Sequence, residues 1–181
     1  NDDPILKPLE TIRLQDALLD LSDPDHPKEA DWPKADFIIG NPPFLGSYRM
    51  RSELGNDYVS NLFSVYKSRI AHSSDLVCYF FERARKEIES GRAQRAGLLA
   101  TNSIRGGINR EVLKRIKETG DIFQAWDDEP WILDGADVRI SIVAFDSGKE
   151  NQKLLDGVPV SNINADLTGD LDILGAARLT E

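Results

Sequence analysis

Asp36-Phe37-Ile38-Ile39-Gly40-Asn41-Pro42-Pro43-Phe44-Leu45-Gly46 passes from an apolar run to a stiff polar loop within a few residues. A short apolar run of this kind reads as a buried strand of a parallel sheet. In open α/β sheets, ligands bind just beyond the carboxyl ends of such strands. Each proline fixes φ near −65° and lacks an N–H, and Pro42 pushes Asn41 out of the helical region. The loop therefore holds the Asn41 carboxamide, the neighbouring backbone carbonyls and the Phe44 ring in one arrangement.

That arrangement suits an amino group attached to a flat ring. The Asn41 oxygen and the Pro42 carbonyl can each accept one hydrogen of an exocyclic amine. Fixed acceptor dipoles stabilise the positive charge that develops on the nitrogen when it attacks an electrophile. An aromatic at position 44 can stack on the ring and favour a cationic transition state, by roughly 0.5–2 kcal/mol. The alternative is a proline-rich turn in which Asn41 only caps the chain.

Asn41-Pro42-Pro43-Phe44 after an apolar strand resembles the Asn-Pro-Pro-aromatic motif of S-adenosylmethionine-dependent methyltransferases acting on planar nitrogens, above all DNA adenine-N6 methyltransferases. The resemblance extends over about residues 10–148. Thr101-Asn102-Ser103-Ile104 and Ala136-Asp137-Val138-Arg139-Ile140-Ser141-Ile142-Val143 narrow it to the large single-chain enzymes of restriction–modification and phage defence. It implies an α/β fold, the C-terminal half of a doubly wound Rossmann-like sheet, mostly parallel with an antiparallel last strand. The implied cofactor is S-adenosyl-L-methionine, and the implied partner is double-stranded DNA, reached through the full-length protein.

The same resemblance distributes roles. Asn41, Pro42, Pro43 and Phe44 form the catalytic loop. Thr11-Ile12-Arg13-Leu14-Gln15-Asp16-Ala17-Leu18-Leu19 reads as an alternating strand ending in an acid. Asp16 would accept from the amino group of the cofactor's adenine, with Ala17 beside it, and a helix cap or a solvated acid is the bland alternative. Ser74-Asp75 opens a helix whose Leu76, Phe80, Ala84 and Ile88 recur every four residues, with Ser90-Gly91 as its stop. Asp75, near its start, is a further candidate cofactor contact. Arg49 and Arg51 suit phosphates if their loop faces DNA, and Trp131 is a candidate to pack against a flipped base. The family's glycine-rich cofactor loop is not found in its expected place, so residues 1–181 read as a fragment that is inactive on its own.

Later segments continue the pattern. Ala96-Gly97-Leu98-Leu99-Ala100-Thr101-Asn102-Ser103 reads as a strand, 108–119 as a helix stopped by Gly120, and Asp121-Ile122-Phe123-Gln124-Ala125-Trp126 as a strand. Asp127-Asp128-Glu129-Pro130-Trp131 reads as an acidic loop, and Val138–Phe145 as a closing strand. Residues 1–148 then form a partial catalytic domain. Residues 149–181 form a weakly structured connector toward a target-recognition domain.

Composition sets limits. Of 181 residues, 40% are hydrophobic and 29% charged, ordinary for a globular protein. No apolar run approaches the ~20 residues that span a bilayer. The acidic Asn1-Asp2-Asp3-Pro4 is no signal peptide, and Cys78, the sole cysteine, allows no internal disulfide, so the expected compartment is the cytoplasm. No cluster of Cys, His and carboxylates has metal-ligand spacing, and His26 reads as a loop residue. A net charge of −9 sits poorly with phosphate binding, so either positive charge is confined to a few loops or, the favoured reading, the main DNA grip lies outside these residues. Two alternatives remain on sequence alone: a protein-glutamine N5 methyltransferase, whose carboxamide is also a planar nitrogen, or an inactive binding module on the same sheet.

Overall fold

The computed structural model describes residues 12–133 and 136–169. Its centre is a six-stranded mixed sheet ordered β3-β4-β6-β5-β7-β8, with a separate two-stranded ribbon of β1 (Leu19–Asp20) and β2 (Lys28–Glu29). β3 (Phe37–Gly40) runs parallel to β4 (Arg95–Thr101). β6 (Ala136–Asp146) is inserted between β4 and β5 (Asp121–Leu133), antiparallel to both. β7 (Lys153–Leu155) pairs parallel with β5, and β8 (Val158–Val160) closes the sheet antiparallel to β7. The expected insertion of Val138–Phe145 as an antiparallel strand is present. The sheet is nonetheless mixed rather than mostly parallel, because a hairpin and the added β8 contribute antiparallel pairings.

Strand alternation sorts one face of the sheet for burial. Ala96, Leu98 and Ala100 on β4, Val143 and Phe145 on β6, and Ile122 and Ala125 on β5 are all buried there. Against this face packs α3 (Leu76–Glu89), where Phe81 stacks on Phe145 with ring centroids 6.0 Å apart. α4 (Arg110–Thr119) adds Val112, Leu113 and Ile116 to the same core. Asn102–Arg105, a short 3-10 turn, links β4 to α4. The segment after β3 forms α1 (Ser47–Leu54) and α2 (Asn56–Val65), separated by Gly55 at φ 86°, a conformation that favours glycine.

α3 is buried on nearly all sides, including its charged residues. Glu82, fully buried, accepts from Arg85 and Arg115. Burial alone would raise its carboxyl, but the hydrogen bonds from Arg85 and Arg115 outweigh it and hold Glu82 below the usual carboxylate range. Arg83 donates to the Ala30 carbonyl at 2.9 Å and lies over the Trp32 ring. The N-terminal segment is thereby tied across the outer side of α3, while the sheet covers the inner side.

Several sequence expectations need correction. Residues 12–18 form no strand; only Leu19–Asp20 is extended, and Thr11 lies outside the described residues. The Asp16 carboxylate accepts the Leu18 and Leu19 backbone N–H groups at 2.8 Å each, which turns the chain locally and diverts donors from any ladder. The acidic stretch Asp127–Trp131 is not a loop. It continues β5 past a bulge between Trp126 and Glu129 into a long hairpin with β6. Residues 153–160 are not irregular but add two strands, turning at Asp156 and Gly157, both with positive φ. The tail 170–181 lies outside the described residues. β3 is not enclosed on both faces: Phe37 is 62% and Ile39 85% exposed.

Gly120 joins α4 to β5 against β6. A Cβ there would overlap the Asp146 carbonyl oxygen, whereas one at Gly106 meets nothing within 4 Å. Gly120→Ala is therefore expected to lower stability by about 1–3 kcal/mol through a forced backbone shift, with Gly106→Ala close to neutral; paired thermal melts check the difference.

Candidate functional site

β3 delivers the chain to the carboxyl end of the sheet, where Asn41-Pro42-Pro43-Phe44 leaves it. Pro42 is buried and fixes the loop from beneath, Asn41 is exposed, and Phe44 is half-buried. Beyond the prolines, Leu45 N–H donates to the Pro43 carbonyl at 3.1 Å, and the Leu76 N–H of α3 donates to the Leu45 carbonyl at 2.9 Å. Among the described residues, the Asn41 carboxamide and the Pro42 carbonyl make no hydrogen bond. The turn-cap alternative for Asn41 has no bond to support it, and two acceptors remain available at the strand end.

A cavity of about 420 Å³ opens beside this loop, lined by Asp16, Ala17, Pro43, Leu54, Tyr58, Leu76 and Phe80 among others. The structure thus brings Asp16 and Ala17 to Pro43 although no strand carries them there. One oxygen of Asp16, Oδ1, accepts from Leu18 N, Leu19 N and the Tyr58 hydroxyl, while Oδ2 makes no hydrogen bond among the described residues. The cavity thereby combines apolar walls with a carboxylate edge that only accepts.

Asp75 does not line that cavity. Its carboxylate joins three chain segments instead: Oδ1 accepts Ser47 N–H at 3.0 Å, and Oδ2 accepts Ser103 Oγ–H at 3.0 Å and Asn109 Nδ2–H at 2.7 Å. Asn109, 7% exposed, returns a bond by accepting Asp75 N–H at 2.9 Å. Cys78 sits beneath this knot, buried, with burial pushing its thiol up. Sequence reading missed Asn109 because its partner lies 34 residues away.

The remaining candidates are dispersed. Arg49 and Arg51 lie not in a loop, as the sequence suggested, but on the helix α1 directly after the proline turn. Arg49 pairs with Glu53 at 2.7 Å, and the Arg51 guanidinium lies 5.5 Å from the Phe63 centroid. Trp131, 41% exposed on β5, lines a separate groove of about 320 Å³ with Trp126, Pro130 and Ile142, away from Asn41–Phe44. His26 is exposed and paired with Asp23. Among the described residues no His, Cys, Asp and Glu group could hold a metal ion, and no helix is long and apolar enough to cross a membrane.

The family model described as MmeI, DNA-methyltransferase domain, matches residues 6–156. The chain belongs to this family. The MmeI-family match spans the proline loop, Asp16, Asp75 and Trp131 together. Among solved structures, the Type IIL restriction-modification enzyme MmeI in complex with DNA is similar, with TM-score 0.61 and 24% identity, over 76% of this chain and 20% of that one. A structure described as the complex assembly and conformational transition of the type I R-M system is similar with TM-score 0.46 and 19% identity, over 64% of this chain and 22% of that one. The MmeI-family chain thus spans about a fifth of the length of each. Among curated proteins none is significantly similar.

In this MmeI-family domain, Asp75 is the anchor between loop, helix and neighbouring strand. Asp75→Ala strips bonds from Ser47, Ser103 and Asn109 at once, and is expected to cost about 2–4 kcal/mol. Denaturant unfolding checks this; a loss under ~0.5 kcal/mol would show that the knot does not hold the loop.

Proposed function

We propose that this domain is the catalytic part of a restriction–modification or defence enzyme that transfers a methyl group from S-adenosyl-L-methionine to the N6 amino group of a flipped adenine in DNA. The observation that carries this is the pair of uncommitted acceptors, Asn41 Oδ1 and the Pro42 carbonyl, fixed beside the cavity that Asp16 and Pro43 share. The family match supports a DNA substrate over glutamine. An adenine inside a duplex is out of reach of such a loop, so the base must leave the stack.

The cavity fits the cofactor's adenosyl part: its apolar walls can hold a purine and Asp16 Oδ2 can accept from an amino group. When bound, the cofactor supplies an electrophilic methyl on a sulfonium sulfur. Asn41 and the Pro42 carbonyl orient the target amine, so that its lone pair points along the line of transfer. Transfer would form the nitrogen–carbon bond as the methyl's bond to sulfur breaks, with one proton of the amine held by Asn41 and Pro42 passing to solvent. Pro42 and Pro43 hold the acceptors still, so little reorganisation is needed as charge develops. Phe44 stacks on the base. Arg49 and Arg51 offer phosphate contacts on α1, and Asp75 acts by holding the loop rather than by touching the cofactor, while Trp131, in its separate groove, lies outside this arrangement. Since β7 and β8 extend the catalytic sheet, target recognition is placed beyond residue 160, and residues 1–181 alone transfer no methyl group. We place the enzyme in the cytoplasm, where a lone cysteine such as Cys78 stays reduced.

Asn41→Ala, made in the full-length protein, tests the reading. It removes an acceptor needed most at the transition state, so kcat is expected to fall ~10²–10³-fold with melting temperature nearly unchanged. Phe44→Ala should weaken DNA capture as well, since stacking on one base is worth about 1–3 kcal/mol. Normal turnover of Asn41→Ala with a lowered melting point would make Asn41 structural.

A further inference from the structure

Asp16 and Glu53 are the carboxylates that line the cavity, Glu53 paired with Arg49, and two donors from Asp16's own segment begin to fix which oxygen Asp16 presents. The torsion about the carboxyl plane is broad for an aspartate. Backbone N–H groups of Leu18 and Leu19 reach Oδ1 from one side at 2.8 Å. The third donor comes from far along the chain: Tyr58, in the first turn of α2, gives its phenol hydrogen to the same oxygen at 3.1 Å. Its ring also forms part of the cavity wall with Leu54, Leu76 and Phe80. Three donors on one oxygen fix the carboxylate plane and leave Oδ2 as an acceptor with no hydrogen to give.

An edge of that kind discriminates. A ligand that offers an N–H₂ at this point satisfies Oδ2. A ligand that offers a carbonyl oxygen instead brings two acceptors together and leaves both unpaired. Burial first, and the Asp16 charge second, push the Tyr58 phenol well above its ordinary range, so it stays protonated and remains a donor.

We propose that Tyr58 is a positioning residue that acts through Asp16 to make the cavity select a 6-aminopurine over a 6-oxopurine. The proposal deepens the cofactor reading above and rests on it. It ties the wall of the cofactor cavity to α2, in the segment that directly follows the catalytic loop, so that the substrate-side segment contributes to cofactor choice.

The test is equilibrium binding of S-adenosylhomocysteine and of S-inosylhomocysteine to the full-length protein, compared among wild type, Tyr58→Phe, Asp16→Asn and the double variant. Tyr58→Phe removes a single oxygen and keeps the ring against the wall. It is expected to weaken the adenosyl ligand about tenfold and the inosyl ligand by less than about threefold. In the Asp16→Asn background, adding Tyr58→Phe is expected to change little, because the group it acts through has gone. Equal weakening of both ligands would mean that Tyr58 only packs, and would overturn the proposal. So would full additivity in the double variant, or unchanged selectivity. Asp16→Asn alone must also reduce selectivity, so a poorly folded Tyr58→Phe leaves the claim exposed to refutation. Wild type that binds neither ligand would sink the cofactor reading and this proposal with it. Wild type that binds both equally would sink this proposal alone.

Discussion

The Asp75 carboxylate receives donors from Ser47, Ser103 and Asn109, which come from three different segments of the chain. One belongs to the start of α1 after the proline loop, one to the turn after β4, and one to the start of α4. Charge-assisted bonds of this kind are about twice as strong as neutral ones. Without them, the prolines would stiffen the loop internally but leave its direction open. With them, the end of β3 is set against the end of β4, and the two uncommitted acceptors at Asn41 and Pro42 stand in one place relative to the cavity.

The same helix that begins at Asp75 organises the rest. α3 presents Phe81 to the sheet on one side and Arg83 to the Ala30 carbonyl on the other. Burying Glu82, Arg83, Arg85 and Glu87 is costly unless every charge is matched, and the surrounding arginines and glutamates match one another. This outer network draws residues 26–35 onto the helix, which in turn places Asp16 and Ala17 above its first turns. The N-terminal segment therefore reaches the cavity by way of α3, not by way of the sheet.

Much of this was legible in the residues. The apolar run 37–40 with its proline stop, the four-residue spacing from Leu76 to Ile88 and the strand 95–101 each carry a local signal strong enough to survive tertiary context. What failed was non-local. The alternation at 11–19 suggested a strand, but a strand exists only where a partner completes the ladder, and here Asp16 captures the backbone donors. Asp127–Trp131 looked like a loop because acids and a proline are poor strand formers, yet pairing with β6 overrides that preference. Asp156-Gly157 was a hairpin signal that composition obscured. In the site, the loop could be read directly, whereas Asn109 and Tyr58 could not, since their partners lie 34 and 42 residues away.

The central claim is that the acceptors at the end of β3 hold an adenine amine for methylation. Incubating the full-length protein with duplex DNA and S-adenosylmethionine carrying a labelled methyl group tests it most directly, followed by digestion to nucleosides. The account predicts label in N6-methyladenosine of the deoxy series. Label confined to protein, or to a methylated cytosine, would contradict it.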